Sequence, residues 1–387
     1  MTTSGEDDIV LKLLHTADWH LGRRFRSFGK EQELKLTRAR LDVLDQILLM
    51  AERFAVDAVL CAGDLFDEPC PPSHWWEEVA ARLHKRNWKG RPIFLLPGNH
   101  DPFVPESVWA KEHKFRTLLP DWAHVVDRSD FEFAFPGGAV LHAVPCVSKS
   151  GAADPTEAIP LRAAGDERIR IGMVHGSTFD VKGCRTNFPI AVDAAVTRGL
   201  DYLAIGDTHG FRFVPPERLQ PPTVYPGTPE PTAFDEQDPG SVAIVFINRM
   251  RRATVKQERV AKWTWEEKSV STIGELRAVA KRIDLAERVL RLRVEMSVPA
   301  PEYDEAERIL EDLEGTPAKN GRVGVLDLDR QGLELETSTI DAYCADLPDV
   351  LKSTVQRLKA AAENPDQRVI AQRALFHLYR AAKKKAS

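Results

Sequence analysis

The sequence is poor in cysteine, in excess positive charge and in long apolar runs, and each shortage excludes something. Five cysteines occur in 387 residues (Cys61, Cys70, Cys146, Cys184 and Cys344), scattered and without a Cys-x-x-Cys pair. An odd, unpaired set argues against a disulfide or structural-zinc framework and for reduced thiols in a cytoplasmic setting. The formal net charge is −5. A protein gripping DNA alone through phosphate contacts would be more basic. Bound metal ions would add positive charge locally, and a partner could supply the grip. No apolar run approaches the roughly 18 residues of a membrane span. The polar, acidic start MTTSGEDDIV has neither the basic nor the apolar region of a secretory signal. Internal repeats and low-complexity tracts are absent too. What remains is an ordinary soluble composition, 43% hydrophobic and 29% charged, at a length that suggests two or three domains.

Against that plain background, five clusters of Asp, His and Asn each follow a short apolar run. They are Asp18-Trp19-His20, Gly63-Asp64, Gly98-Asn99-His100-Asp101, His175-Gly176 and Gly206-Asp207-Thr208-His209. The runs before them are VLKLL, DAVLC, PIFLL, IRIGMV and DYLAI, which read as buried strands. Ligands of open α/β sheets bind outside the carboxyl ends of the strands. Hard O and N donors therefore gather five times over where a sheet would collect them. An isolated Asp-x-His is usually a surface or capping pair, and Gly-Asn-His-Asp alone could be a turn. Five in order point to a dinuclear metal site for phosphoester hydrolysis, where two cations stabilise charge on the attacking and leaving oxygens. A donor set without thiolate suits Mn²⁺, or Mg²⁺, better than structural zinc.

The segments HTADWHLGR (15–23), GDLFD (63–67), PGNHD (97–101), VHG (174–176) and YPGTPEP (225–231) carry a resemblance. They are similar to the calcineurin-like metallophosphoesterases, and within them to the SbcD-type DNA-repair exonuclease branch. The resemblance implies a four-layer α/β fold with two β-sheets sandwiched between helices, a small α+β capping domain and C-terminal helices. It also implies residue roles. Asp18, His20 and His209 would bind one ion, Asn99, His175 and Asp207 the second, and Asp64 would bridge them. His100 would lie beside the scissile phosphate. DNA would be the substrate, an SbcC-type ATPase the partner, and a homodimer is compatible with the family. One position departs from the pattern: the family carries Gly-His-x-His where this chain has Gly-Asp-Thr-His. Asp207 then adds negative charge to the second ion's surroundings and favours hard cations.

Along the chain, residues 1–250 read as the phosphoesterase domain, with helices expected over 31–55 and 74–87 and a late strand over 241–248. A small α+β unit is expected over 251–336. In it, Leu290, Leu292, Val294 and Met296 alternate with charged residues as a strand with one wet face. Helices at 274–283 and 303–314 and a strand at 323–328 accompany it. From Ser338 the chain reads as helical, with a break at Asn364-Pro365. Leu347, Val350, Leu351, Val355 and Leu358 form one apolar stripe, and Val369, Phe376 and Tyr379 part of a second. The resemblance marks residues 337–387 as a partner-docking segment. Trp75, Trp76, Trp88, Trp109 and Trp122 read as packing rather than base-stacking platforms. His15, His74, His84, His113, His124, His142 and His377 read as structural or solvated. Arg23, Arg24 and Arg26 read equally as phosphate contacts or a solvated loop. Two other functions compete with a nuclease: hydrolysis of a small phosphodiester or nucleotide, and a non-catalytic scaffold for the ATPase.

Overall fold

A computed structural model describes residues 8–85, 91–178, 186–316, 319–336, 340, 349–364 and 366–386. Leu347, Trp88, Pro365, Cys184, Cys344 and the expected helix end at 86–87 lie outside these residues, as does the side chain of Val369. The chain divides into two compact units, Met1–Trp263 and Thr264–Ser387.

Among the described residues, the first unit holds twelve strands. They are β1 (Ile9–Thr16), β2 (Ala58–Cys61), β3 (Ile93–Leu95), β4 (Ala123–Val125), β5 (Phe131–Phe135), β6 (Ala139–Ala143), β7 (Ile169–His175), β8 (Tyr202–Gly206), β9 (Arg212–Val214), β10 (Thr223–Tyr225), β11 (Ser241–Asn248) and β12 (Ala253–Arg259). Its helices are α1 (Lys30–Arg53), α2 (Ser73–His84) and the short α3 (Lys114–Leu118) and α4 (Ala194–Thr197). Two six-stranded sheets form, in the orders β12-β11-β1-β2-β3-β4 and β5-β6-β7-β8-β10-β9.

Side-chain alternation explains the layering. Along β1, Leu13 turns inward to a core shared with Phe131, Leu141 and Met173 of the second sheet. Leu14 turns outward, onto Val43, Leu44 and Ile47 of α1 and Trp76 of α2. On the second sheet, Val174, Leu203 and Ile205 face outward onto Ile159, Ala194 and Leu200. Each sheet is thus covered on both faces, which is why its parallel strands are near-continuous apolar runs. The expected four-layer arrangement of helices around two sheets is what forms. Trp75, Trp76 and Trp109 belong to the outer core, as packing.

The second unit begins with β13 (Thr264–Val270), α5 (Ile273–Ala280), β14 (Arg288–Val298) and α6 (Ala300–Glu314). The two-residue pair β15 (Gly315–Thr316) and β16 (Lys319–Asn320) follows, then β17 (Val325–Leu335), α7 (Asp349–Ala362) and α8 (Arg368–Ala386). Strands β13, β14 and β17 pair in parallel, β14 in the centre. As the alternation of β14 requires, Leu292, Val294, Met296 and Val298 are buried while Arg293, Glu295 and Ser297 are exposed.

Two sequence expectations are corrected here. The boundary falls after Trp263 rather than at 250, because β12 pairs with β11 along its length and closes the first sheet. Lys256 and Glu258 lie on one face of β12 and Gln257 and Arg259 on the other, so polar residues interrupt both faces and it does not read as a strand. The C-terminal stripes are also largely covered within their own unit. Val355, Leu375, Phe376 and Tyr379 are buried in one cluster with Leu310 and Leu333, and the Phe376 and Tyr303 rings lie 4.7 Å apart. Val350 remains 76% exposed. An amphipathic stripe records that something covers a helix, not whether that cover is the chain itself or a partner. No helix among the described residues is long and apolar enough to cross a membrane.

Candidate metal centre

The expected site residues stand at the carboxyl ends of parallel strands, as the strand pattern requires. Asp18 and His20 follow β1, Asp64 follows β2, Asn99 and His100 follow β3, His175 ends β7, and Asp207 and His209 follow β8. Several sit on unusual backbone. Asp18, His20, Asp64 and Asp207 have positive φ (55°, 43°, 52° and 109°) although none is glycine. Such conformations cost about 1–3 kcal/mol each and persist where the surroundings over-determine them. Glycine is required where those turns crowd. A Cβ on Gly98 would overlap the Asp64 carboxylate, and one on Gly63, at φ +100°, would overlap the His175 ring.

The geometry converges. Asp18, His20 and His209 present ligand atoms within 4.8 Å of one another, and so do Asp18, Asp64 and His175. Asp64 stands between the groups, with Oδ2 3.5 Å from His20 Nε2 and Oδ1 3.5 Å from His175 Nε2. His175 Nε2 also lies 2.8 Å from Asn99 Oδ1 and 3.8 Å from Asp207 Oδ1. Asp207 is held by Ser177 Oγ, which donates to its Oδ2 at 2.5 Å, and its own N–H donates to Asp18 Oδ1 at 3.1 Å. All seven expected ligands therefore meet in one place. His100 sits at the mouth, its side chain 44% exposed and its ring 4.7 Å from that of His20.

Hydrogen bonding settles which imidazole nitrogens face the centre. Nδ1 of His20 meets Asp67 Oδ1 at 3.1 Å, Nδ1 of His209 meets Glu236 Oε1 at 2.6 Å, and Nδ1 of His175 meets Ala62 O at 2.8 Å. A carboxylate or carbonyl oxygen only accepts, so each Nδ1 must donate. In the neutral ring that leaves Nε2 bare, and metal-binding histidines are oriented in this way. Nε2 of His20 and Nε2 of His209 then face each other at 3.0 Å. Two lone pairs at that separation call for a proton or a cation between them. Burial drives His20 well below its ordinary pKa. Burial also opposes charge on His209, but Glu236 and Asp18 outweigh it and raise its pKa. Burial pushes the Asp18 and Asp64 carboxyls up to about 7, against the attraction of His175 and His209 for the first and His100 for the second. Buried carboxylates that resist ionisation beside bare imidazole nitrogens fit divalent cations, which would neutralise the one and occupy the other.

Some supporting residues carry little signal in the sequence. Asp67 lies within GDLFD yet gives no hint that it pins His20. Glu236 lies 27 residues beyond His209, outside the five clusters. Arg40, 2% exposed on α1, spreads its guanidinium over backbone oxygens. Its Nη1 donates to Glu230 O at 2.7 Å, its Nη2 to Trp19 O and to Asp18 O at 3.4 Å, and its Nε to His20 O at 3.4 Å. A helix arginine thus fixes the loop that carries Asp18 and His20. Of the histidines read as structural, buried His15 meets Tyr202 OH at 2.8 Å and His142 accepts from Arg170 Nη2 at 3.3 Å, both away from the centre. Arg23 lies 3.9 Å from Asp67 Oδ1, at the edge of the site.

Residues 11–211 match the family described as calcineurin-like phosphoesterase. The chain belongs to this family. It is 25% identical over 244 residues to an uncharacterised metallophosphoesterase, YhaO, of Bacillus subtilis, a match covering 61% of this chain and 57% of that protein. It is 33% identical over 173 residues to the SbcD component of the nuclease SbcCD from Rhodobacter capsulatus, covering 43% of this chain and 39% of the relative. With the SbcD component of the Escherichia coli K12 nuclease SbcCD it shares 38% identity over 96 residues, covering 24% and 21%. The chain thus spans less than two thirds of each of these relatives. A family of metal-dependent hydrolases accounts for the convergence of donors, and the implied cofactors are divalent ions.

Proposed function

We propose that this chain is a DNA nuclease component that cleaves phosphodiester bonds with two divalent ions, Mn²⁺ in preference to Mg²⁺, beside an SbcC-type ATPase in the cytoplasm. The observation that carries the reading is the set of three imidazoles with Nδ1 tied to acceptors and Nε2 aimed at Asp18, Asp64, Asn99 and Asp207. Asp18, His20 and His209 would hold one ion, Asn99, His175 and Asp207 the other, with Asp64 between them. When bound, the pair supplies Lewis-acid stabilisation of charge on the attacking and leaving oxygens. The chain's own part is orientation. Asp67, Glu236 and Ala62 O fix the rings, and Arg40 fixes the Asp18–His20 loop. His100 Nδ1 donates to Asp67 O at 3.3 Å, which turns its other nitrogen toward an incoming phosphodiester. With a second proton on the ring, that nitrogen would stabilise charge or protonate the leaving oxygen; in the neutral ring, whose hydrogen is on Nδ1, it carries none. Similarity to the SbcD components of SbcCD nucleases supports DNA and the ATPase.

The test is a nuclease assay on end-labelled duplex and single-stranded DNA with Mn²⁺, Mg²⁺ or EDTA, alongside nitrophenyl phosphoesters. Cleavage of DNA with Mn²⁺ and none with EDTA is expected. Hydrolysis of the small esters with no DNA cleavage in either metal would contradict the reading.

A further inference from the structure

A cavity of about 870 Å³ opens directly beside the metal centre, with Asp207 and His209 in its wall. Concave sites of about 300–1,000 Å³ hold a small molecule or one group of a larger one, so this one suits a nucleotide better than a length of duplex. Its lining has two kinds of recognition chemistry. Phe211 and Phe213 are half-buried and meet edge to face, with ring centroids 5.9 Å apart. The exposed Arg218 lays its guanidinium over Phe213, 4.6 Å from the ring centroid. Arg23 reaches the same cavity from the loop behind His20. Four acids also line it: Asp207 accepts from Ser177 Oγ, Glu236 is bound to His209, Asp238 accepts from Gln257 Nε2 at 2.9 Å, and Asp235 is exposed.

We infer that this cavity receives one unstacked nucleotide of the strand being cut. Its base lies on the Phe213–Arg218 platform and against Phe211, and its phosphate lies between Arg218 and Arg23. The inference rests on the nuclease reading above and deepens it. Aromatic rings and guanidinium planes accept any base face, and arginine recognises phosphate through its planar fork. A nucleotide seated beside Asp207 and His209 places the adjoining phosphodiester at the ions. The strand must leave its duplex stack to enter, so single-stranded or frayed ends become the preferred substrate.

The experiment uses the full-length protein in EDTA, so that nothing is cleaved. Fluorescence anisotropy compares a labelled hexathymidylate with an abasic hexamer of the same charge. The parent should prefer the hexathymidylate by about 5- to 150-fold, the range of a stacked base. Phe213→Leu should erase most of that preference, and Arg218→Ala, at an exposed position, should weaken both hexamers. Melting curves establish that both variants are folded. With Mn²⁺, the same variants should raise KM on single-stranded DNA more than they lower kcat. Equal binding of the two hexamers by the parent, or an unchanged preference in Phe213→Leu, overturns the inference. If the parent cuts no DNA yet its base preference still depends on Phe213, the nuclease reading fails while the nucleotide subsite stands.

Discussion

His209 Nδ1 lies 2.6 Å from Glu236 Oε1, and Thr232 donates its backbone N–H to the other oxygen of that carboxylate at 2.8 Å. The carboxylate fixes the tautomer and angle of one proposed ligand without touching the centre. Losing such an orienting partner typically lowers metal affinity about 10–100-fold. Glu236→Gln is therefore expected to weaken Mn²⁺ binding on that scale, read by calorimetric titration of the metal-free protein. An unchanged isotherm would show that His209 needs no such support or binds no metal.

In the proposed mechanism His100 separates chemistry from metal holding. It adjoins Asn99 but sits exposed at the mouth, and its backbone N–H donates to Asp64 Oδ1 whatever the side chain. His100→Asn should keep its metals and its DNA affinity while losing about 10²–10⁴-fold in cleavage rate, the usual worth of a positioned acid or base. Single-turnover cleavage kinetics check this, and near-normal turnover would remove His100 from the mechanism.

Asp207 stands where the resembled family carries histidine. Asp207→His is expected to retain activity and shift the metal profile, with Mg²⁺ support falling relative to Mn²⁺ as nitrogen replaces oxygen. Hydrolysis rates across a metal titration decide it. An identical profile would place Asp207 outside the ions' ligands, despite its 3.8 Å approach to His175 Nε2.

The C-terminal helices now carry a stability prediction. Val355, Leu375, Phe376 and Tyr379 are buried in the core of the second unit. Burying a Leu- or Phe-sized side chain is worth about 1.5–3 kcal/mol, so ending the chain at Glu336 should lower the melting transition markedly. Melting curves of residues 1–336 and of the full chain compare the two. Identical curves would mean that α7 and α8 add nothing to the unit and are free for a partner.

The convergence of the candidate ligands was legible because they sit at the ends of buried parallel strands, where strand pattern and donor chemistry coincide in a few adjacent residues. Their supports were not, because Glu236, Arg40 and Asp67 act through contacts that only the folded chain creates. Arg40 is the clearest case. An arginine on an amphipathic helix reads as a solvated charge, yet it is buried against the Asp18–His20 loop. The apolar runs marked the buried strands, and the resemblance supplied the two sheets between helices. Strand β12 and the β13 segment TWEEKSV escaped notice because polar residues on both faces mask the period. The C-terminal stripes were visible as helices, but a stripe does not name its cover.

Asp64 carries the central claim, since one carboxylate stands between the two sets of donors, 3.5 Å from His20 Nε2 and from His175 Nε2 alike. The most direct measurement is elemental analysis of metal per chain after Mn²⁺ loading, for the parent and for Asp64→Ala. Two ions per chain are expected in the parent, with most of the metal lost in the variant together with hydrolysis. A parent that holds no stoichiometric metal, or a variant that keeps both ions at full occupancy, would contradict the account.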